Sequence, residues 1–305
     1  MAVRPLKVGV QLPEVERVVR WSELRQMAIL AEQVGFDSVW VGDHLLYRYA
    51  DGPRGPWEAW SVLAALAAVT ERVELGPLVA ATSFHNPAML AKKAATIDEI
   101  SGGRLILGLG AGWNEAEYSA YGFPFDNRAS RFEEALTIVR TLLREGRIDF
   151  EGSYYQARDC ELLPRGPRPE GPPLMIGSIG PRMLRVALPH VQSWNAWYAW
   201  FGNQPEQLKS MLVTVDEACR EVGREPGGVE RTVAVLVRME GGAGRDEADK
   251  RGRLSRALAG TPDEIASGVR ELAGLGIGHV QLVVDPITLG SIESLAPVLE
   301  LLDRG

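Results

Sequence analysis

The chain has 305 residues, 46% of them hydrophobic and 24% charged, a globular composition rather than a disordered or collagen-like one. Lys+Arg 33 against Asp+Glu 40 leaves a formal charge of −7, which argues against a nucleic-acid or membrane-surface role. Two cysteines, Cys160 and Cys219, are too few for a disulfide framework and suit a reducing cytoplasm.

Strand-like and helix-like runs alternate along the chain. Met1-Ala2-Val3-Arg4-Pro5 enters the strand-like Leu6–Leu12 without a signal-peptide pattern. A helix follows, with Leu24, Met27, Ala28, Ala31 and Val34 on one face and Gly35 at its left-handed C-cap. Ser38–Gly42 reads as the second strand, followed by a Gly/Pro-rich loop and an Ala-rich helix over Glu58–Thr70. Val73–Ala80 reads as the third, before a helix opened by Asn86-Pro87. Arg104–Leu109 is the fourth; it ends in glycines and precedes a periodic helix bearing Phe132, Ala135, Leu136, Val139, Leu142 and Leu143, closed by Gly146.

The alternation breaks over residues 147–172. Two short β-like runs, Ile148–Phe150 and Tyr154–Gln156, read as a hairpin insertion with a connecting arm. It resumes with strands at Leu174–Gly177, around Ser193–Asn195, at Thr232–Arg238 and at Val280–Val284. Helices are expected from Pro181, over Gln204–Val222, and from the capping box Thr261-Pro262-Asp263-Glu264. Eight βα units suit either a closed barrel or a doubly wound sheet. A dinucleotide-binding sheet should carry its glycine fingerprint after the first strand, where this chain has Gln11-Leu12-Pro13-Glu14-Val15-Glu16. The expectation is therefore one α/β domain over 1–305, a (β/α)8 TIM barrel with the insertion between its fourth and fifth strands. Chemistry should stand at the C-terminal strand ends.

Asp43-His44 closes the second strand, and the chain has four histidines. An imidazole beside a carboxylate could carry a proton or hold a cofactor substituent; the other reading is a turn cap and a structural hydrogen-bonder. The fourth strand exits through Gly108-Leu109-Gly110-Ala111-Gly112-Trp113-Asn114-Glu115. Its alternating glycines could let something flat or bulky lie against the backbone, or could serve only a tight turn. Ile176-Gly177-Ser178-Ile179-Gly180-Pro181-Arg182 offers backbone N–H groups and a charge to a phosphate, unless Ser178 is an ordinary N-cap. Metal-ligand spacings and a Gly-x-Ser-x-Gly elbow are both missing, so an organic cofactor is expected and no metal.

These segments, in this order, resemble the luciferase-like monooxygenase superfamily and, within it, the deazaflavin (coenzyme F420)-dependent oxidoreductases. The resemblance covers nearly the whole chain. It rests on Gly35–His44, Trp57-Glu58-Ala59-Trp60, Asn86-Pro87-Ala88, Gly102-Gly103-Arg104-Leu105 through Asn114-Glu115, and Gly260–Glu264. It implies coenzyme F420 (8-hydroxy-5-deazaflavin) as cofactor, with FMN as the alternative, and hydride transfer to or from a small-molecule substrate. Asp43 matches a deazaflavin contact and His44 the catalytic histidine. Leu78-Val79 matches the position of a non-proline cis peptide that backs the ring. Ala81, Ala111, Gly112 and Asn114 match ring and ribityl contacts, and Ser178, Ile179, Gly180, Arg182 and Met183 match the phosphate cradle.

Sugar-phosphate dehydrogenases of this family carry a glutamate where Trp113 stands and a lysine after the sixth strand, where this chain reads Trp194–Trp200. Trp113, Trp197 and Trp200 point instead to an apolar or planar organic substrate. The competing readings are an FMN-dependent two-component monooxygenase served by a flavin reductase, a non-catalytic flavin- or deazaflavin-binding protein, and, more distantly, a metal-dependent barrel hydrolase. A cytoplasmic homodimer is implied, with no nucleic-acid or membrane partner. Of the eight tryptophans, Trp57, Trp60, Trp113, Trp194, Trp197 and Trp200 are expected near the barrel mouth as pocket lining.

Overall fold

The computed structural model describes residues 4–242 and 257–304. Strand β1 (Lys7–Gln11) leads into α1 (Trp21–Val34), and β2 (Ser38–Val41) into α2 (Ala59–Val69). The third strand, β3, runs over Glu74–Pro77, resumes at Ala80–Ala81, and precedes α3 (Pro87–Ile100). Then come β4 (Leu107–Gly110), a short α4 (Glu115–Tyr121), α5 (Arg128–Glu145), β5 (Leu174–Gly177) and α6 (Pro181–Ala187). After β6 (Ser193–Trp197) and α7 (Pro205–Glu221) follow β7 (Glu230–Arg238), α8 (Pro262–Gly274), β8 (Ile277–Asp285), α9 (Leu289–Ser294) and α10 (Ala296–Asp303).

These strands pair in parallel in the order β3-β2-β1-β8-β7-β6-β5-β4. The ring closes where Leu105 bridges to Leu75 and where Ala80 and Ala81 pair with Leu109 and Gly110. Closure excludes the doubly wound sheet; the fold is a (β/α)8 barrel. Parallel strands covered on both faces read as nearly continuous apolar runs. Val8 and Val10 of β1, Val233, Val235 and Val237 of β7, and Val280, Leu282 and Val284 of β8 join the helices in one contiguous core.

The opposite faces line a partly polar interior. Trp40 Nε1 donates to Ser38 Oγ at 2.7 Å, and Ser38 Oγ lies 2.7 Å from His279 Nε2. Asn195 Nδ2 donates to Thr232 Oγ1 and to Gln281 Oε1, both at 2.8 Å. Partnering of this kind is what lets polar side chains stay inside a barrel. Burial, with Lys7 adding repulsion, pushes the His279 imidazole down to about 3, so it is neutral at pH 7.

Helix ends follow their caps. Gly35 takes φ 103° at the end of α1, Asn86 accepts from Met89 N at the start of α3, and Thr261 with Glu264 forms the capping box of α8. Two expectations shift. The third strand is not continuous over Val73–Ala80 but broken at Leu78-Val79, a cis peptide. The hairpin pairs Arg147–Glu151 with Gln156–Glu161, not with Tyr154–Gln156. Glu134 of α5 accepts from the N–H groups of Ser153, Tyr154 and Tyr155 at 2.8, 2.9 and 3.0 Å, which makes Tyr154-Tyr155 part of the turn. Among the described residues no helix is long and apolar enough to cross a membrane.

Candidate active site

The residue after Gly42 turns inward and the next one outward over the mouth. Asp43 is buried, and its Oδ2 accepts from Ala81 N at 3.0 Å and lies 2.9 Å from His85 Nε2. Trp60 Nε1 lies 3.1 Å from the same His85 nitrogen. Asp43 thus ties β2 to the resumed part of β3.

His44 is held from two sides. Its Nδ1 lies 2.8 Å from Glu117 Oε1, while Glu117 Oε2 accepts from Leu45 N at 2.8 Å and Leu46 N at 3.3 Å. The other nitrogen, Nε2, faces Glu14 Oε1 at 3.9 Å. Glu14 itself accepts from Tyr47 Oη at 2.6 Å and from Gln11 Nε2 at 2.8 Å. Tyr47 and Trp113 pack around the imidazole, with ring centroids 4.8 and 5.7 Å away. Burial alone would lower the pKa of His44, but the Glu117 hydrogen bond and the charges of Glu14, Glu117 and Asp43 outweigh it and raise it above 6.5. With Nδ1–H committed to Glu117, Nε2 is the atom free to exchange a proton at the mouth.

The floor of the mouth is the break in β3. Val79 and Leu78 pack against Trp40, Ile106 and Met175, and Leu78 also packs against the cluster of Ala234, Leu236 and Val283. The strand-end glycines make room for this bulge. A Cβ at Gly110 or Gly177 would come within 2.8 Å of Val79 Cγ2, and one at Gly108 within 2.3 Å of Pro77 O. Gly112, at φ +76°, gives its space to Tyr118, whose Oη a Cβ would approach to 1.8 Å and which donates to Ala111 O at 3.0 Å. The glycine run therefore makes room for the Val79 and Tyr118 side chains. Asn114 Nδ2 donates to Leu46 O at 2.9 Å, joining the loop after β4 to the loop after β2.

On the other side of the mouth, Gly180 is the N-cap of α6 and Pro181 its first residue. Ser178 is not the N-cap; its Oγ meets only Gly180 N, at 3.4 Å, and its carbonyl accepts from Trp194 Nε1 at 2.7 Å. Arg182 reaches Ser130 Oγ at 2.8 Å on α5, and Met183 is buried. Ile179 packs against the core, half-buried.

The tryptophans divide into two groups. Trp113, just after β4, is 62% exposed and Trp200, just after β6, 38%; Trp197 ends β6 and is half-buried against Ala234, Leu236 and Val283, so all three stand at the C-terminal strand ends. Trp60 and Trp194 are buried and bonded to His85 and Ser178, and hold loops in place; Trp57 is about half exposed, donates to Val19 O at 2.6 Å and lines a small cavity that Glu14 also borders. Glu14, Tyr47, His85 and Glu117 were not singled out in the sequence, although Glu14 stands in the turn after β1, where a barrel places functional groups. Glu117 carried no such signal, since only the tertiary fold brings α4 beneath His44.

The comparisons agree with this geometry. Residues 6–250 match the family model described as luciferase-like monooxygenase. The chain is 32% identical over 248 residues to an F420-dependent glucose-6-phosphate dehydrogenase of Microbacterium testaceum, covering 80% of this chain and 71% of that protein. It is 38% identical over 171 residues to a protein of the same name from Amycolatopsis mediterranei, a match that covers 54% of this chain and spans only 50% of that protein. In fold it is similar to an F420-dependent secondary alcohol dehydrogenase solved with an F420-acetone adduct, with a TM-score of 0.82, 22% identity, and coverage of 97% and 99% of the two chains. By the match over most of its length, the chain belongs to the luciferase-like monooxygenase family.

Proposed function

We propose that the chain is a coenzyme F420-dependent oxidoreductase acting on an apolar organic substrate, with His44 as its proton-carrying group. The observation that carries this reading is the His44 imidazole, gripped at Nδ1 by buried Glu117 with Nε2 turned to Glu14 over an apolar floor. Two relatives are named as F420-dependent dehydrogenases, which supports the cofactor.

The residues present fit a deazaflavin. Leu78 and Val79 offer a half-buried apolar platform for a ring, and the space beside Gly180 is open, with only Ser178 Oγ at 4.0 Å from where a Cβ would stand. The backbone N–H groups of Arg182 and Met183 stand in the first turn of α6, where no side-chain cap takes them, and suit phosphate. Asp43, Ala81, Ala111, Gly112, Asn114, Ser178 and Ile179 complete the cofactor side in this reading. When bound, the deazaflavin supplies the hydride chemistry.

His44 Nε2 accepts the proton of a substrate hydroxyl as its carbon is oxidised, or returns it in the reverse direction, and Glu117 stabilises the charged imidazole meanwhile. Trp113, Trp197 and Trp200 orient the substrate and exclude water. The relatives' names give glucose 6-phosphate as substrate, but Tyr198-Ala199-Trp200-Phe201 after β6 carries no cation to meet a phosphate. The reading includes a homodimer and a cytoplasmic location, the latter supported by two free cysteines.

Anaerobic turnover tests it. Reduction of coenzyme F420 by an apolar secondary alcohol, or its oxidation by the matching ketone, is expected without oxygen uptake. Oxygen consumption with reduced FMN, and none of this turnover, would favour the flavin-dependent monooxygenase. Tight cofactor binding without turnover across a broad substrate panel would favour a binding protein.

A further inference from the structure

At the face opposite the mouth, a cavity of about 240 Å³ opens between the last turns of α5, the arm before β5, and the segment leading to β6. One water needs only about 10–15 Å³ of such volume, so the space admits a small ion with its waters. Its charged lining is Arg140, Arg144, Arg168, Glu170 and His190. Two of the guanidinium groups have carboxylates: Arg168 holds Asp98 in a bidentate pair, and Arg144 meets Glu170 at 3.6 Å. Arg165 and Arg224 do not line the cavity and, among the described residues, are bonded only to backbone carbonyls, among them Pro169 O and Gly228 O, each at 2.8 Å.

Arg140 is different. Its Nε is buried with no hydrogen-bond partner, and no carboxylate pairs with it among the described residues. Among the described residues, the other four arginines share only the carboxylates of Asp98 and Glu170. Burial first, then the charges of Arg140, Arg144 and Arg224, lower the His190 pKa and disfavour its charged form. Arg140 is half-buried, and a buried guanidinium N–H left without an acceptor is costly; an anion entering the cavity that supplies one removes that cost. Guanidinium forks bind the oxygens of carboxylates and phosphates bidentately, and a phosphate-class anion offers enough oxygens to meet several guanidinium groups at once.

We propose that this cavity is a binding site for a phosphate-class oxyanion, centred on Arg140 and remote from the reaction site. The inference is independent of the cofactor reading, because none of the residues that line the cavity takes part in the mouth.

The test follows the His190 ring by NMR in the full-length protein, with the peak assigned from a His190→Gln variant. Phosphate, sulfate and glycerol phosphate are titrated against chloride at equal ionic strength. A bound dianion should raise the His190 pKa saturably, by about one unit, and leave His44, His85 and His279 unmoved. Arg140→Gln should weaken the effect at least about tenfold, the loss expected for a charge-assisted hydrogen bond, and Arg140→Lys should restore part of it. Equal shifts with phosphate and sulfate indicate a free inorganic anion as the occupant; stronger binding of glycerol phosphate indicates a phosphorylated metabolite. A non-saturating shift that chloride reproduces would overturn the proposal, as would an undiminished response in folded Arg140→Gln. If that variant does not fold, the comparison of saturation with chloride in the wild-type protein decides alone.

Discussion

His44 Nδ1 lies 2.8 Å from Glu117 Oε1 although the two residues are 73 positions apart in the chain. The same carboxylate also takes the N–H groups of Leu45 and Leu46. One buried group therefore sets both the path of the loop after β2 and the charge of the imidazole that the loop carries. The folded pKa of His44 is raised above 6.5. Its stabilising contribution is thus fully present below pH 6.5 and is lost as pH rises through the folded value. Glu117→Gln keeps an acceptor but removes the charge. The His44 pKa, read by NMR, should fall by about one unit, and the histidine-dependent limb of the kcat profile should move with it. His44→Ala should lower kcat by about 10²–10⁴-fold with cofactor affinity retained; an unchanged kcat would remove His44 from the reaction.

Gly110 and Gly108 flank the bulge of β3 in ways that substitution can separate. A Cβ at Gly110 meets the Val79 side chain at 2.8 Å and nothing else closer than 3.5 Å, whereas one at Gly108 meets the carbonyl oxygen of Pro77 at 2.3 Å. Gly110→Ala should cost about 1–3 kcal/mol of stability, as overpacking does, and weaken cofactor binding. Val79→Ala in the same chain should recover much of the loss. Gly108→Ala should not be rescued by Val79→Ala, because backbone cannot withdraw. Chemical denaturation of the single and double variants measures both.

His279 predicts an acid limit to stability. Its folded pKa is about 3 against an ordinary 6.5, so between these values the unfolded chain binds a proton that the native one refuses. Stability therefore falls as pH falls through this window, by about 1.4 kcal/mol per unit from this group alone. Between pH 6.5 and pH 5 that amounts to about 2 kcal/mol. His279→Gln should lack this part of the slope in urea unfolding, even if its stability at neutral pH is lower through loss of the contact to Ser38.

Trp113 is 62% exposed with its ring 5.7 Å from that of His44. Such a side chain gains most when a ligand covers it. Trp113→Ala should raise KM for an apolar substrate about tenfold with kcat little changed, the signature of lost uniform binding. An equal loss of cofactor affinity would place Trp113 against the cofactor instead.

The barrel was legible because its signals are local. Eight apolar runs, Gly35, Asn86 and the Thr261–Glu264 box each act within a few residues, and closure was favoured by their number together with the missing glycine fingerprint after β1. The glycines after β4 were legible as a site of close approach, but not as to what approaches: Val79 comes from another strand and Tyr118 from the next helix. Tryptophan content pointed to the mouth, yet Trp60 and Trp194 turned out to serve as loop anchors, a distinction that depends on which carbonyl or imidazole stands opposite the indole N–H. Asp43 and His44 were visible as a pair at a strand end. Their division of labour was not, because His85 and Glu117 reach them only through the tertiary fold.

The central claim is a deazaflavin site beneath His44. Incubating the purified protein with coenzyme F420 and FMN together, removing free cofactor and recording the absorbance of what remains bound tests it most directly. The account predicts the deazaflavin spectrum at one equivalent per chain, unaffected by His44→Ala. Stoichiometric FMN with the deazaflavin left in solution would contradict it.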